Sequence, residues 1–294
     1  MGDALVLSDL TGRFAWRGNM NVRFWGVRGS TPTPEPCNAR YGGNTPCVEV
    51  RLANGTLIVL DCGSGFRVFG KSLAKEFGER PIVGYLFLTH FHWDHMQGIP
   101  FFAPLYKKGN SFLFHSRTQS RIKLKAAIEG QMVYPFFPVD MRVMQSVRHF
   151  YDLDGCPIDV NGAVISTAPM NHPQGCTGYR IEADGAVFVF ATDTEPGSRV
   201  HDQAVRDLAR GADVLVYDCQ YTPEQLQGEK KGWGHSSWLE GTRIARESNV
   251  KKLLLFHHDP DHDDNFVDGL VARAQQEFAC VEGAYEGMRI DFRI

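Results

Sequence analysis

The sequence predicts an α/β (α+β) protein in which two β-sheets are sandwiched between helices. Three observations carry this expectation. Short apolar runs bounded by turn residues recur along most of the chain. The early runs come as hairpins and the later ones alternate with helical patterns, which favours two sheets over one doubly wound sheet. Neither G-x-G-x-x-G nor G-x-x-x-x-G-K-[ST] occurs, so a nucleotide-binding loop has no support.

In chain order, residues 1–20 read as an N-terminal extension. Residues 21–294 read as a single domain with an insert at about 116–150. The periodic pattern opens at NVRFWGVRGS (21–30). Cys47–Leu52 and Thr56–Leu60 form a hairpin turned at Asn54-Gly55. GYLFLTH (84–90) and SFLFHS (111–116) are buried strands. A basic helix is expected to open the insert and to give way at YPFFPVD (134–140), where Pro135 and Pro138 favour a loop. AVISTAPM (163–170) and TGYRIEADGAVFVFATD (177–193) continue the strand series, the latter folded at Asp184-Gly185. ADVLVYDCQ (212–220), KKLLLFHH (251–258) and MRIDFRI (288–294) complete it. Between them lie three helices. RVHDQAVRDLARG (199–211) aligns Val200, Ala204 and Leu208 and stops at Gly211. SSWLEGTRIARES (236–248) starts on serine caps. NFVDGLVARAQQEFA (265–279) places Phe266, Leu270, Ala274 and Phe278 at i, i+4 spacing.

The 294 residues are 43% hydrophobic and 22% charged, enough apolar material for a large core. A formal net charge of −3 gives no global basic field for nucleic acid. No apolar run is long enough to span a membrane, and the first residues match neither a secretory signal nor a myristoylation pattern. The seven cysteines include no C-x-x-C pair, so a cytoplasmic, reduced protein is expected, without a disulfide framework or zinc ribbon.

The densest chemistry lies in LFLTHFHWDHMQGIP (86–100), where His90, His92, Asp94 and His95 follow an apolar strand. In extended chain His90 and His92 project to one side. Such groups cannot all be buried unpaired, and a metal site resolves that conflict. One cation needs about four ligands, so partners are sought downstream. His172, Asp193 and the pair His257/His258 each stand at a strand end. Singly each reads more readily as a turn or cap residue; together with the early cluster they read as a site at one edge of the sheets.

The order H-x-H-x-D-H followed by His172, Asp193 and His257 resembles the metallo-β-lactamase superfamily, over about residues 22–294. LIVLDCGSG (57–65) is similar to the strand and glycine turn before the metal motif in that family. The resemblance implies a four-layer αββα sandwich of two mixed β-sheets flanked by helices, with a two-metal hydrolytic site. It implies His90, His92 and His172 on a first metal, Asp94, His95 and His257 on a second, and Asp193 bridging both. His258 stays open as an alternative last ligand. True β-lactamases of the superfamily carry cysteine at the bridging position. Asp193 instead suits phosphoesters or thioesters and two Zn²⁺ or Mn²⁺ ions, with Fe²⁺ admitted. The segment around His235 resembles the phosphodiesterase branch, which includes RNase Z and the phosphoribosyl cyclic phosphate phosphodiesterases. There His235 would protonate the leaving oxygen and Asp218 would orient it. Asp94 would both ligate metal and take the proton of the attacking water.

The expected activity is hydrolysis of a small or cyclic phosphodiester through a two-metal-activated hydroxide. Rival readings are a thioesterase or lactonase on the same site, a tRNA 3′-processing-like endonuclease, and a metal-bearing binding or sensor protein. Nucleic acid is the less favoured partner, no membrane is expected, and a homodimer is left open. Arg117, Arg121, Lys123 and Lys125 form a basic stretch that reads either as phosphate contacts or as a solvated face. Arg28, Arg40 and Asn44 either approach the substrate phosphate or brace loops.

Overall fold

The computed structural model describes residues 19–117 and 122–292. Most of the expected N-terminal extension, and Arg121 of the basic stretch, lie outside the described residues. Met20 is described and fully buried, its carbonyl accepting from the Phe292 N–H.

Among the described residues fourteen strands form two seven-stranded sheets. In chain order the first sheet holds β1 (Asn21–Gly26), β2 (Cys47–Arg51), β3 (Leu57–Leu60), β4 (Val83–Phe87), β5 (Ser111–Ser116) and β6 (Val147–Asp152). The second holds β7 (Ile158–Val160), β8 (Ala163–Met170), β9 (Cys176–Ala183), β10 (Ala186–Ala191), β11 (Val214–Asp218), β12 (Lys252–Phe256) and β13 (Val281–Gly283). The last strand, β14 (Arg289–Asp291), returns to the first sheet beside β1, giving the order β14-β1-β2-β3-β4-β5-β6. The second sheet runs β13-β12-β11-β10-β9-β8-β7. Each sheet is mixed in the same way. Pairings from β14 to β3 are antiparallel and those from β3 to β6 parallel. Those from β7 to β10 are antiparallel and those from β10 to β13 parallel.

Strand periodicity sets the layers. In β3, Ile58 and Leu60 face the other sheet while Leu57 and Val59 face a helix; in β12, Leu254 and Phe256 point inward and Leu253 and Leu255 outward. The inter-sheet core thus joins Phe24, Val50 and Ile58 to Ile181, Phe188 and Val216. Outside the first sheet lies α1 (Ser64–Phe77), burying Phe66, Phe69 and Leu73. Outside the second lie α4 (Arg199–Ala209), α6 (Trp238–Glu247) and α7 (Asp264–Glu277), contributing Leu208, Ile244 and Leu270. The result is the four-layer αββα sandwich.

The β9–β10 hairpin turns at Asp184-Gly185, where both φ angles are positive, as a two-residue I′-like turn requires. The Ser237 hydroxyl caps α6 by accepting from the Glu240 N–H. Some expectations need correction. In α4 the buried face is Val205, Leu208 and Ala209, and Val200 is 73% exposed. In α7 Val267 joins Leu270 and Ala274 in the core, while Phe266 sits at the surface against His262. The helix of the insert, α3 (Leu124–Gly130), begins later than the basic stretch predicts. Two further helices among the described residues are short, α2 (Trp93–Met96) and α5 (Pro223–Gln227).

Candidate metal centre

The parallel halves of the two sheets bring their carboxyl ends to one rim, and the chemistry collects there. Asp61 follows β3. His90 and His92 follow β4, and Asp94 and His95 lie on α2. His172 follows β8, Asp193 follows β10, Asp218 ends β11, and His257 follows β12.

All seven candidate ligands meet. His90, His92 and His172 offer ligand atoms within 4.8 Å of one another, as do Asp94, His95 and His257. His172 Nε2 lies 3.1 Å from His92 Nδ1. Asp193 stands between the groups. Its Oδ1 is 3.8 Å from both His90 Nε2 and His172 Nε2, and its Oδ2 is 3.4 Å from His95 Nε2 and 3.5 Å from His257 Nε2. Asp94 Oδ2 lies 3.2 Å from both His95 Nε2 and His257 Nε2. His258 turns away: its Nε2 meets the Ala284 carbonyl at 2.8 Å. Of the two late histidines, His257 is therefore the one that enters the cluster.

Proton positions follow from the partners on the far side of each ring. His95 Nδ1 donates to Asp61 Oδ2 at 2.8 Å, His257 Nδ1 to Gln220 Oε1 at 2.8 Å, and His172 Nδ1 to the Gly234 carbonyl at 2.7 Å. His90 Nδ1 meets Thr89 Oγ1 at 3.0 Å, and that hydroxyl reaches Asp61. Each of these four rings therefore aims an Nε2 lone pair at the others and at Asp94 and Asp193. His95 Nε2 and His257 Nε2 are only 3.3 Å apart, and His90 Nε2 is buried with no hydrogen-bond partner among the described residues. Among the described residues only the Ser30 N–H on Asp94 and the Thr192 hydroxyl on Asp193 donate into this set of acceptors, an arrangement that costs free energy unless a cation sits among them. The residues present thus fit divalent metal.

The electrostatics agree. Burial opposes charge on His95, yet Asp94, Asp193 and Asp61 together hold its pKa well above the ordinary value. Burial also opposes charge on Asp193, but the His257 and His95 rings keep its carboxyl well below the usual range. Burial dominates at His172, whose pKa falls to about 4. At His235 burial is outweighed by Asp218, 2.8 Å from its Nδ1, and the pKa rises to about 9. The rim thus attracts positive charge.

Asp218 is a hub rather than a strand end facing water. Besides His235 it accepts from the backbone N–H groups of Asp193, Gln220 and Ser236, tying β10, β11 and the His235 segment together. The His235 ring stacks on His257, centroids 5.0 Å apart.

Sequence reasoning missed several residues. Asp61 locks His95, Gln220 locks His257, and the Ser30 N–H donates to Asp94 Oδ2 at 2.9 Å. Ser30, Asp61, Asp193 and His257 all adopt positive φ, a conformation that disfavours non-glycine residues by about 1–2 kcal/mol each. Arg28, Arg40 and Asn44 brace loops instead of facing the rim. Buried Arg28 donates to the carbonyls of Gly42, Asp259 and His262; Arg40 pairs with Asp268 and Asn44 with Glu286.

Two stacked mixed sheets with histidines and aspartates gathered at one rim define a metal-dependent hydrolase. Residues 56–258 match the family described as "Beta-lactamase superfamily domain". The ribonuclease Z of Thermoplasma acidophilum is 24% identical over 88% of this chain and 92% of its own. Among solved structures, the metallo-β-lactamase fold protein YhfI of Bacillus subtilis superposes with a TM-score of 0.68 at 20% identity, covering 93% of this chain and 99% of that one. A diphosphatase from the PhnP family gives 0.66 at 19% identity, covering 93% and 97%. The chain belongs to the metallo-β-lactamase superfamily. Among the described residues no helix is long and apolar enough to cross a membrane.

Proposed function

We propose that this protein hydrolyses a small or cyclic phosphodiester, using two divalent cations, Zn²⁺ or Mn²⁺ before Fe²⁺. One cation would be held by His90, His92 and His172 and the other by Asp94, His95 and His257, with Asp193 shared. The reading rests above all on the convergence of four imidazole lone pairs and two carboxylates at one rim. When bound, such a pair supplies Lewis acidity to a phosphoryl oxygen and makes water nucleophilic near neutral pH.

The chain's own residues supply the rest. Asp218 holds the proton on His235 Nδ1, and the carboxylates around that ring favour its charged form. His235 is therefore suited to stabilise phosphate charge and to protonate the departing oxygen from Nε2. Asp94, steadied by the Ser30 N–H, is suited to receive the proton of the attacking water. A protein of this description is expected in the cytoplasm.

A second reading, cleavage of an RNA phosphodiester, is favoured by the likeness to ribonuclease Z. The net charge of −3 weighs against a large polyanion. The deciding experiment combines metal analysis of the purified protein with a panel of bis(p-nitrophenyl) phosphate, cyclic nucleotides, a precursor tRNA and S-lactoylglutathione. Chelator-sensitive turnover of the first two, lost in His92→Ala, is expected. Turnover of the thioester alone, or none of any substrate by fully metallated protein, refutes the phosphodiesterase reading.

A further inference from the structure

Residues 228–234 form a strap that leads from α5 to His235 and lies largely at the surface, with Trp233 56% exposed. Several of its backbone N–H groups donate within the strap or back to α5: Lys230 to the Gln225 carbonyl, Lys231 to Gly228 and Trp233 to Lys230. Gly232 and Gly234 take positive φ, 86° and 87°, so the turn before His235 is built on residues with the widest backbone freedom. Glu195 closes that freedom. Its Oε1 accepts from the Gly232 N–H and its Oε2 from the Gly234 N–H, both at 2.8 Å. Hydrogen bonds to an ionised acceptor are about twice as strong as neutral ones. Glu195 is itself held, two residues beyond Asp193. Its N–H donates to the Asn171 carbonyl at 2.8 Å, and its carbonyl accepts from Asn171 Nδ2 at 2.7 Å. The clamp thus ties the strap to the strand ends that carry His172 and Asp193.

We propose that Glu195 is a positioning residue for His235, setting the approach of its Nε2 to the leaving oxygen. The inference rests on the phosphodiesterase reading and adds a residue to which that reading gives no part. Two carboxylates bracket His235. Asp218 holds the ring Nδ1 at 2.8 Å and the following N–H, that of Ser236, at 3.0 Å. Glu195 holds the preceding N–H, that of Gly234. A ring tethered at Nδ1 alone still swings its Nε2 when the backbone shifts; with the backbone fixed on both sides it does not. Glutamine has nearly the shape of glutamate but one acceptor oxygen. Its amide NH₂ would face the second glycine N–H as donor to donor, and one glycine is released. The Gly234 carbonyl also takes His172 Nδ1–H, so an effect on His235 has to be told apart from an effect on metal.

The test compares Glu195→Gln, Glu195→Ala and His235→Ala with the unaltered full chain, with the metal content of each measured. Two substrates differ only in their leaving group. Methyl 4-nitrophenyl phosphate releases a phenolate that departs unaided, whereas the phenolate of methyl phenyl phosphate gains from protonation. Glu195→Gln is expected to lower kcat about 30-fold on the phenyl ester and only about threefold on the nitrophenyl ester, with KM little changed. Glu195→Ala, lacking both acceptors, should do at least as much. A merely structural brace would slow both esters alike. The second readout is the NMR spectrum of protein labelled with ¹⁵N-histidine. The His235 ring signals, identified by their loss in His235→Ala, should shift or broaden in Glu195→Gln at unchanged metal content. Equal slowing of both esters, metal lost in step with turnover, or unmoved His235 ring signals overturns the proposal. Hydrolysis of neither ester by the unaltered chain counts against the phosphodiesterase reading instead, and the ring signals still decide whether Glu195 positions His235.

Discussion

Replacing Asp61 by asparagine should weaken metal binding without weakening the fold. Asp61 Oδ2 accepts from His95 Nδ1 at 2.8 Å, and Oδ1 accepts from the Thr89 N–H at 2.8 Å. Asparagine keeps the shape and can keep the Thr89 bond, but its amide nitrogen then faces His95 Nδ1–H. Two donors cannot share that contact. The ring relieves the conflict by moving its proton to Nε2, the atom that lies 3.2 Å from Asp94 and 3.3 Å from His257. A lone pair aimed at a cation becomes an N–H aimed at it. Losing an outer partner of this kind typically weakens metal affinity by about 10–100-fold. At about 1.4 kcal/mol per tenfold that is about 1.4–2.8 kcal/mol. The upper end is expected, because the tautomer reverses rather than loosens. The metal-free protein should not suffer, since burial already pushes the Asp61 carboxyl up in pKa and an amide carries no charge to desolvate. The assay is competition with a chromophoric chelator, run beside urea unfolding of the metal-free form. Unchanged affinity, or a loss of stability that matches the loss of affinity, refutes the tautomer argument.

Three further outcomes follow from the packing around the rim. A Cβ on Gly29 would lie 2.6 Å from His257 Nδ1 and 2.9 Å from Gln220 Oε1, so Gly29→Ala should displace His257 and lower the bound metal content; a metal content equal to that of the unaltered protein by mass spectrometry would contradict this. Arg28→Met strips three carbonyls of a buried cationic donor and should cost about 3 kcal/mol in urea unfolding, a cost under about 1 kcal/mol showing that the brace is dispensable. His115, stacked between Phe87 and Tyr151, is held by burial at a pKa of about 4 against an ordinary 6.5. Above pH 6.5 neither state takes up its proton. Below it the unfolded chain does and the folded chain refuses, so stability falls from about pH 6.5 to about pH 4, by at most about 3 kcal/mol. His115→Phe, which preserves the stack, should flatten that acid limb in metal-free protein; identical limbs would sink the assignment.

Sequence reasoning worked best where local signal and tertiary demand coincide. SFLFHS and AVISTAPM are apolar runs with clear ends, and they are β5 and β8 residue for residue. It failed at α1, which went unread although Phe66, Phe69 and Leu73 keep helical spacing. The reason is physical: Gly65 and Gly70 dilute the helical signal, yet both are needed for close packing. A Cβ on Gly65 would meet the Trp25 carbonyl at 2.4 Å, and one on Gly70 would meet Phe102 at 2.7 Å. The strands β6, β7 and β13 are short or largely exposed, so no apolar run announces them. At the rim, the density of His90 to His95 is visible in one line of sequence. Asp61, Gln220 and Ser30 are single residues whose importance arises only from what folding sets beside them.

The rim is divided between the two sheets. His90, His92, Asp94 and His95 come from the first, whereas His172, Asp193 and His257 come from the second. Half a molecule therefore holds half a centre. On the ribosome the early quartet is made long before its last companion, at position 257, can emerge. Chemistry at this seam reports that both slabs have folded and docked, so two separately expressed fragments divided near residue 155 would regain activity only by reassembling.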